Sequence, residues 1–297
     1  MDGLPTHLLL PLLASILFVC GLLFVKRATS RGVSPWTVTF LANQWAALLF
    51  STLWLLGGES IPLAKLWQPI FIAALFLSGQ VFMFLAIQRG DVSVATPIFG
   101  IKVVVVAGLL TILFREALPH SVWIAAALAT CGIGLAQWIP RSLTGDTSRR
   151  SVWMTVVFAL SAAGSFAVFD VSVQHFSPAW GAGRMLPTVF WFVSLLSLSL
   201  LPFIETSALR NPQTRVVLLV GTFLIAMQAL CLVSTLAHFG DAARVNVVYA
   251  LRAVWGVVLA WFVAVKWGGS EAELPRSVML LRLVGAGLLT VAVVLVV

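Results

Sequence analysis

Charge is what this sequence has least of. Only 9% of the 297 residues are Asp, Glu, Lys or Arg, against 61% hydrophobic, and mean hydropathy is +1.06. Soluble domains carry roughly 25% charged residues. A chain this poor in charge cannot cover a water-facing surface, so lipid is the solvent for most of it. Cysteine is scarce as well. Cys20, Cys131 and Cys231 stand apart inside apolar runs, with no disulfide, metal-ligand or redox spacing, and read as packing residues. The four histidines, His7, His120, His175 and His238, lie near run ends and are dispersed, offering neither a metal cluster nor a nucleophile–base pair. No phosphate-binding Gly-rich loop or polar domain is present, which argues against nucleotide-driven pumping. The amino end lacks a basic n-region and a cleavage site, so its first apolar run reads as an uncleaved helix. The net charge of +8 comes from Lys and Arg scattered between apolar runs, with no basic stretch interleaved with aromatics. That pattern is membrane anchoring rather than nucleic-acid binding.

What the chain does have is length of apolar sequence. Runs of about 20 residues fall near 7–25, 36–56, 68–88, 92–114, 119–139, 152–173, 184–204, 215–238, 243–265 and 275–297. Each can cross a hydrocarbon core of roughly 30 Å at about 1.5 Å per residue. The expected fold class is therefore an all-α polytopic membrane protein with ten transmembrane helices. Breakers mark the connections: Ser34-Pro35, Gly57-Gly58, Gly90-Asp91, Ser177-Pro178, Gly240-Asp241 and Gly268-Gly269. Tryptophans near run ends, including Trp36, Trp54, Trp67 and Trp138, form an interfacial aromatic belt.

The chain also repeats itself. Gly90-Asp91 recurs 150 residues on as Gly240-Asp241, and the same shift carries Lys102 onto Arg252. Leu118-Pro119-His120-Ser121-Val122 recurs 156 residues on as Leu274-Pro275-Arg276-Ser277-Val278, the extra six residues fitting a longer loop around 269–273. Ser34-Pro35 and Ser177-Pro178 precede corresponding helices. The order of these matches predicts a duplication: a first repeat over 1–140, a polar linker over 141–151 and a second repeat over 152–297. Five helices per repeat is an odd number, so the second copy enters the membrane upside down. Such inverted five-helix repeats suit alternating access around a central site.

The stretch from Phe84 through Gln88-Arg89-Gly90-Asp91 to Pro97, then Arg115-Glu116 and the helix of Gly132 and Gly134, resembles the drug/metabolite transporter superfamily. More narrowly, it resembles the ten-helix members built from two EamA repeats. The resemblance implies a secondary transporter in a bacterial inner (plasma) membrane, not an enzyme, with no cofactor. Many relatives have an Arg early in the second helix, where this chain has Asn43-Gln44, and Lys266 stands where the first repeat has Glu116. Small multidrug-resistance relatives depend on a glutamate in the first helix; this chain has none there.

Lys102 and Arg252 carry the sharpest functional signal. Each lies deep in its run, roughly 15 Å from either interface, while a Lys side chain reaches only about 6 Å. A cation at that depth costs at least about 2.5–3.5 kcal/mol on insertion scales, so two at equivalent positions imply a polar cavity. Together they suit an anionic group, Arg clamping it bidentately and Lys acting as a point charge. The resemblance adds that phosphate-carrying members use buried Lys and Arg in this way. Alternatively each cation pairs internally, with Asp170 or helix-end carbonyls. Asp170, about one turn before the end of the sixth run, is either Arg252's partner, a proton-coupling group or an interfacial residue. Asn43, Gln44, Gln80, Gln228, Asn246, Tyr249 and Trp255 are candidates to line the cavity, or else interhelical hydrogen bonds and packing. Gly132, Gly134, Gly285 and Gly287 read as close helix contacts.

The expected function is thus secondary-active transport of a small organic solute, metabolite or amino-acid-like with an anionic group, with a coupling proton as an option. The rival is a transporter-fold receptor or assembly protein without flux. Expected partners are membrane lipid and the solute, the protein being a monomer or homodimer without nucleic acid. Basic residues number 4 on the side of the termini (Lys65, Arg115, Arg184, Arg244) and 11 on the other. That places the termini outside, whereas the family resemblance places them in the cytoplasm.

Overall fold

The computed structural model describes residues 6–58, 63–89, 92–138, 149–267 and 276–297. Gly90-Asp91, residues 141–148 of the expected linker, Gly268-Gly269 and Leu274-Pro275 lie outside the described residues, as do the side chains of Trp261 and Lys266. The helices run in order as α1 Leu9–Thr29, α2 Pro35–Ser51, α3 Trp67–Arg89, α4 Val92–Phe99, α5 Lys102–Leu113 and α6 His120–Ala136. They continue as α7 Arg149–Trp180, α8 Ala182–Ser197, α9 Pro212–Phe239, α10 Ala242–Tyr249, α11 Arg252–Trp267 and α12 Arg276–Val294. No strand occurs among the described residues. In lipid every backbone N–H and C=O must be satisfied within the segment, and a helix does this locally. Eight helical stretches are long and apolar enough to span a membrane, and Pro97–Leu113 and His120–Ala136 add two shorter apolar ones. The protein is an all-α polytopic membrane protein, as the apolar runs predict.

Local chemistry sets the ends. The Ser34 hydroxyl accepts the Thr37 N–H at 3.3 Å with Pro35 opening α2, and Asn211 Oδ1 accepts the Gln213 N–H at 2.9 Å with Pro212 opening α9. Proline at the first position costs no hydrogen bond because that N–H is unpaired in any helix. Gly240 stops α9 in the left-handed region, φ +62°, with its N–H on the Leu236 carbonyl. One expected connector is not where the sequence suggests. Ser177-Pro178 lies inside α7, which continues to Trp180 and stops at Gly181, φ +73°. Proline is carried in the last turn, and the glycine, free to adopt positive φ, makes the break.

The chain forms two compact units that interleave along the sequence: Met1–Leu8, Ser78–Val171 and Ala242–Val297 in the first, Leu9–Leu77 and Ser172–Asp241 in the second. The division passes through α3 and α7. In the second unit α1 packs along α9, and α2 lies against α8 and α9. Phe50 and Phe190 stack at 3.7 Å between α2 and α8, both fully buried. Gln44 completes that contact: its carbonyl accepts from the Ser194 hydroxyl at 2.6 Å and its amide donates to Ser197 at 3.0 Å.

In the first unit α6 packs along α12. A Cβ on Gly285 would come within 2.5 Å of the Ala136 nitrogen and 2.7 Å of the Gly132 carbonyl. Gly134 and Gly287, expected to make similar contacts, have nothing within 4 Å of a Cβ. Two residues turn a helix by about 200°, so they face away from the contact that Gly132 and Gly285 make. Gly285→Ala should therefore push two backbones apart and cost about 1–3 kcal/mol, the range for overpacking. Gly287→Ala should leave stability unchanged; thermal melts of the two variants in the same detergent measure the difference.

Candidate functional site

The runs at 92–114 and 243–265, expected to be continuous helices, each tighten at a two-residue turn in the first unit, Ile101 keeping right-handed helical angles of φ −58° and ψ −25°. α4 ends at Phe99, Gly100-Ile101 form a turn, and α5 begins at Lys102. α10 ends at Tyr249, Ala250-Leu251 form a turn, and α11 begins at Arg252. Each cation is thus the first residue after a break. All four boundaries match under the 150-residue shift that relates Lys102 to Arg252.

The breaks are short 3₁₀ turns. The Gly100 N–H bonds the Pro97 carbonyl at 3.0 Å and Ile101 bonds Ile98 at 3.0 Å; Leu251 bonds Val248 at 3.1 Å and Ala253 bonds Ala250 at 3.0 Å. Such i→i−3 bonding is tighter than an α-turn and poorer in geometry, and often marks a functional position. In the first copy Pro97 removes an N–H donor. Glycine is also required there by space, because a Cβ on Gly100 would meet Ile133 of α6 at 2.9 Å. The Thr130 hydroxyl of α6 donates to the Gly100 carbonyl at 3.2 Å, satisfying an acceptor at the break. In the second copy no proline is present, and the Ala250 N–H is shared between the Asn246 and Val247 carbonyls at 3.0 and 3.2 Å.

Lys102 meets a carboxylate. Lys102 Nζ lies 2.6 Å from Asp170 Oδ2. The same oxygen accepts a hydrogen bond from Asn246 Nδ2 at 2.7 Å, and that amide also donates to the Ala242 carbonyl at 2.9 Å. Asp170 comes from α7, ten residues before its end at Trp180 and so about 15 Å along the axis. The sequence places it one turn from a helix end; the longer α7 puts it well inside. Arg252 rests on the Tyr249 ring, its guanidinium carbon 4.5 Å from the centroid, and Lys102 Nζ lies 5.9 Å from the Phe166 ring centre. These aromatic faces supply electron density to cations held away from water. Accessibility within the pair is unequal: the Lys102 side chain is 14% exposed and that of Asp170 2%.

Lys102, Asp170, Asn246, Tyr249 and Arg252 therefore form one polar cluster within the first unit, carrying two cations and one carboxylate. Gln80 and Trp255 belong to the same unit, each partly buried. Asn43, Gln44 and Gln228 belong to the second unit, where Asn43 and Gln228 are buried and Gln44 binds α8 as described. One participant was not singled out from sequence. Phe166 sits one turn before Asp170 on α7 and supplies an aromatic face that only the tertiary structure reveals. Arg282 of α12 is also buried, and its position as a charge within the last apolar run was a legible signal. Among the described residues no group of three or more His, Cys, Asp or Glu could hold a metal ion.

The described residues form apolar helices of membrane-spanning length, with Lys102 and Arg252 just after two matching turns. Residues 5–137 match the model of the EamA-like transporter family, the likeness that the motifs from Phe84 to Gly134 imply. A crystal structure of another protein is similar over 99% of this chain and 98% of its own, with TM-score 0.71 and 16% identity; it shows the fold. No curated protein matches the chain.

Removing one partner of a buried ion pair costs roughly 3–5 kcal/mol because the other is stranded. Lys102→Met should therefore lower the melting temperature clearly, and adding Asp170→Asn should recover much of the loss. Equal melting of the single and double variants would show that the pair contributes little to folding.

Proposed function

We propose that this protein is a secondary-active transporter of a small organic solute bearing an anionic group, metabolite or amino-acid-like, working by alternating access. The observation that carries the reading is the placement of Lys102 and Arg252 as first residues after two matching turns, Lys102 on the Asp170 carboxylate and Arg252 on the Tyr249 ring. The cluster keeps a net positive charge in an apolar surrounding, and an anion is the ligand that relieves it. The matched helix boundaries support a duplication into repeats over 1–140 and 152–297, inverted because each holds five spans. The match of residues 5–137 to a transporter-family model supports flux rather than catalysis. The surrounding membrane is read as a bacterial inner membrane, with the termini outside by the distribution of basic loop residues.

The test is a thermal-shift screen of carboxylates, amino acids, sulfonates and phosphate esters on purified protein, followed by flux in proteoliposomes. An anionic compound should raise the melting temperature and be transported by wild type. Lys102→Ala and Arg252→Ala should each reduce flux by at least tenfold while still inserting. Undiminished transport by both variants, or stabilisation by cations alone, would overturn the reading.

A further inference from the structure

In the second unit α8 has two faces of different character. One is buried against α2 through Phe190 and the hydrogen bonds to Gln44. The other carries Trp191 and Leu195, each at least half exposed. Beside it runs the 3₁₀ segment Thr52–Leu56 that continues α2. Between them lies an open groove of about 370 Å³, lined by Trp54, Thr188, Trp191, Phe192 and Leu195. The Trp191 indole N–H donates to the Ser51 hydroxyl at 2.9 Å, and the Thr188 hydroxyl donates to the Arg184 carbonyl at 2.7 Å. These two donors are satisfied within the protein, so a ligand meets the walls as apolar surface.

A cation stands at one end. Arg184 lies one turn before Thr188, its guanidinium carbon 5.2 Å from the centre of the Trp54 ring. Among the described residues it makes no ion pair. Stacking occupies the face of the guanidinium and leaves its edge donors, the geometry that matches phosphate oxygens. Arg184 opens the span Ala182–Phe203 and Trp54 closes the span Pro35–Leu56, so both stand at a membrane interface. Leu195 lies eleven residues beyond Arg184, about 16 Å deeper at about 1.5 Å per residue. That is half of a hydrocarbon core of roughly 30 Å, the depth of one leaflet.

We propose that this groove holds an anionic phospholipid, its phosphate on Arg184 and one acyl chain running past Trp54, Trp191 and Phe192 to Leu195. A free phosphate would meet the cation alone, whereas the apolar walls match a chain attached to it. The charge on Arg184 favours an anionic headgroup over a zwitterionic one. A lipid seated there ties the Thr52–Leu56 segment to α8 and adds to the contact between Phe50 and Phe190. Its binding does not depend on what the Lys102 cluster takes, since that cluster belongs to the first unit.

The experiment uses the full chain purified in a neutral detergent. Dioleoyl phosphatidylglycerol, dioleoyl phosphatidylcholine or glycerol phosphate is added, and bound molecules are counted by native mass spectrometry. Wild type should retain the phosphatidylglycerol about fivefold better than the phosphatidylcholine, the factor expected for one Arg beside an anionic headgroup. The same lipid should raise its melting temperature. Arg184→Gln should retain both lipids equally, at the wild-type level for phosphatidylcholine. Trp191→Ala, which removes a wall and leaves the cation, should lower retention of both lipids and keep their ratio. Equal retention by wild type, or an unchanged preference in Arg184→Gln, overturns the proposal. Displacement of the lipid by an equal concentration of glycerol phosphate also overturns it, because that marks a phosphate site without a chain groove. Should Arg184→Gln not fold, Trp54→Leu takes its place. Loss of the ring under the guanidinium should then shrink the preference, and a full fivefold preference counts against the site.

Discussion

A carboxylate and an ammonium group buried among apolar helices have no water to solvate them, and the geometry around Asp170 and Lys102 follows from that constraint. Each needs the other, and the pair needs donors and aromatic faces around it. Asn246 from α10 supplies the second donor and Phe166 from α7 the ring beside the ammonium. The breaks after Phe99 and Tyr249 let the chain place a charged residue at the start of a fresh helix, with the preceding segment ending beside it. Those breaks need support of their own. Thr130 on the Gly100 carbonyl and the close approach of Ile133 tie the first to α6, which is in turn held against α12 through Gly132 and Gly285. Small residues at one helix contact thereby secure the backbone that carries Lys102.

Burial of an ion pair is weak support for stability, since two apolar residues of similar size would often do as well. The pair is better explained by its place in the fold: Lys102 and Arg252 follow matching turns 150 residues apart, and Arg252 lies on the Tyr249 ring. The anion-site reading proposed above gives both cations one role.

Much of this was legible in the sequence, because lipid imposes simple rules. Ten apolar runs locate the helices, most ends within a few residues and that of α7 seven residues short, and a cation too deep to reach water singled out Lys102 and Arg252. Their offset of 150 residues also predicted equivalent surroundings, and the helix boundaries follow that offset. The breaks themselves were not legible. Pro97 and Gly100 hint at the first, but Ala250-Leu251 carries no breaking residue, and hydropathy does not distinguish an α-turn from a 3₁₀ turn. Ser177-Pro178 misled for the converse reason: proline in a last turn is tolerated, and Gly181 was the stop. That error made Asp170 look close to an interface. Choosing its partner between Lys102 and Arg252 required tertiary geometry, as did separating Gly132 and Gly285 from Gly134 and Gly287.

Alternating access, as proposed, requires the face of α11 that carries Arg252 to open in turn to both sides of the membrane. Gly256 is one turn beyond Arg252 on that face, and a Cβ there meets nothing within 4 Å, so Gly256→Cys can be introduced without steric cost. With Cys20, Cys131 and Cys231 replaced by serine, a membrane-impermeant thiol reagent applied to oriented vesicles reports access from either side. The account predicts labelling from both sides, slowed by a transported anion. Labelling from one side alone, or from neither, would contradict it.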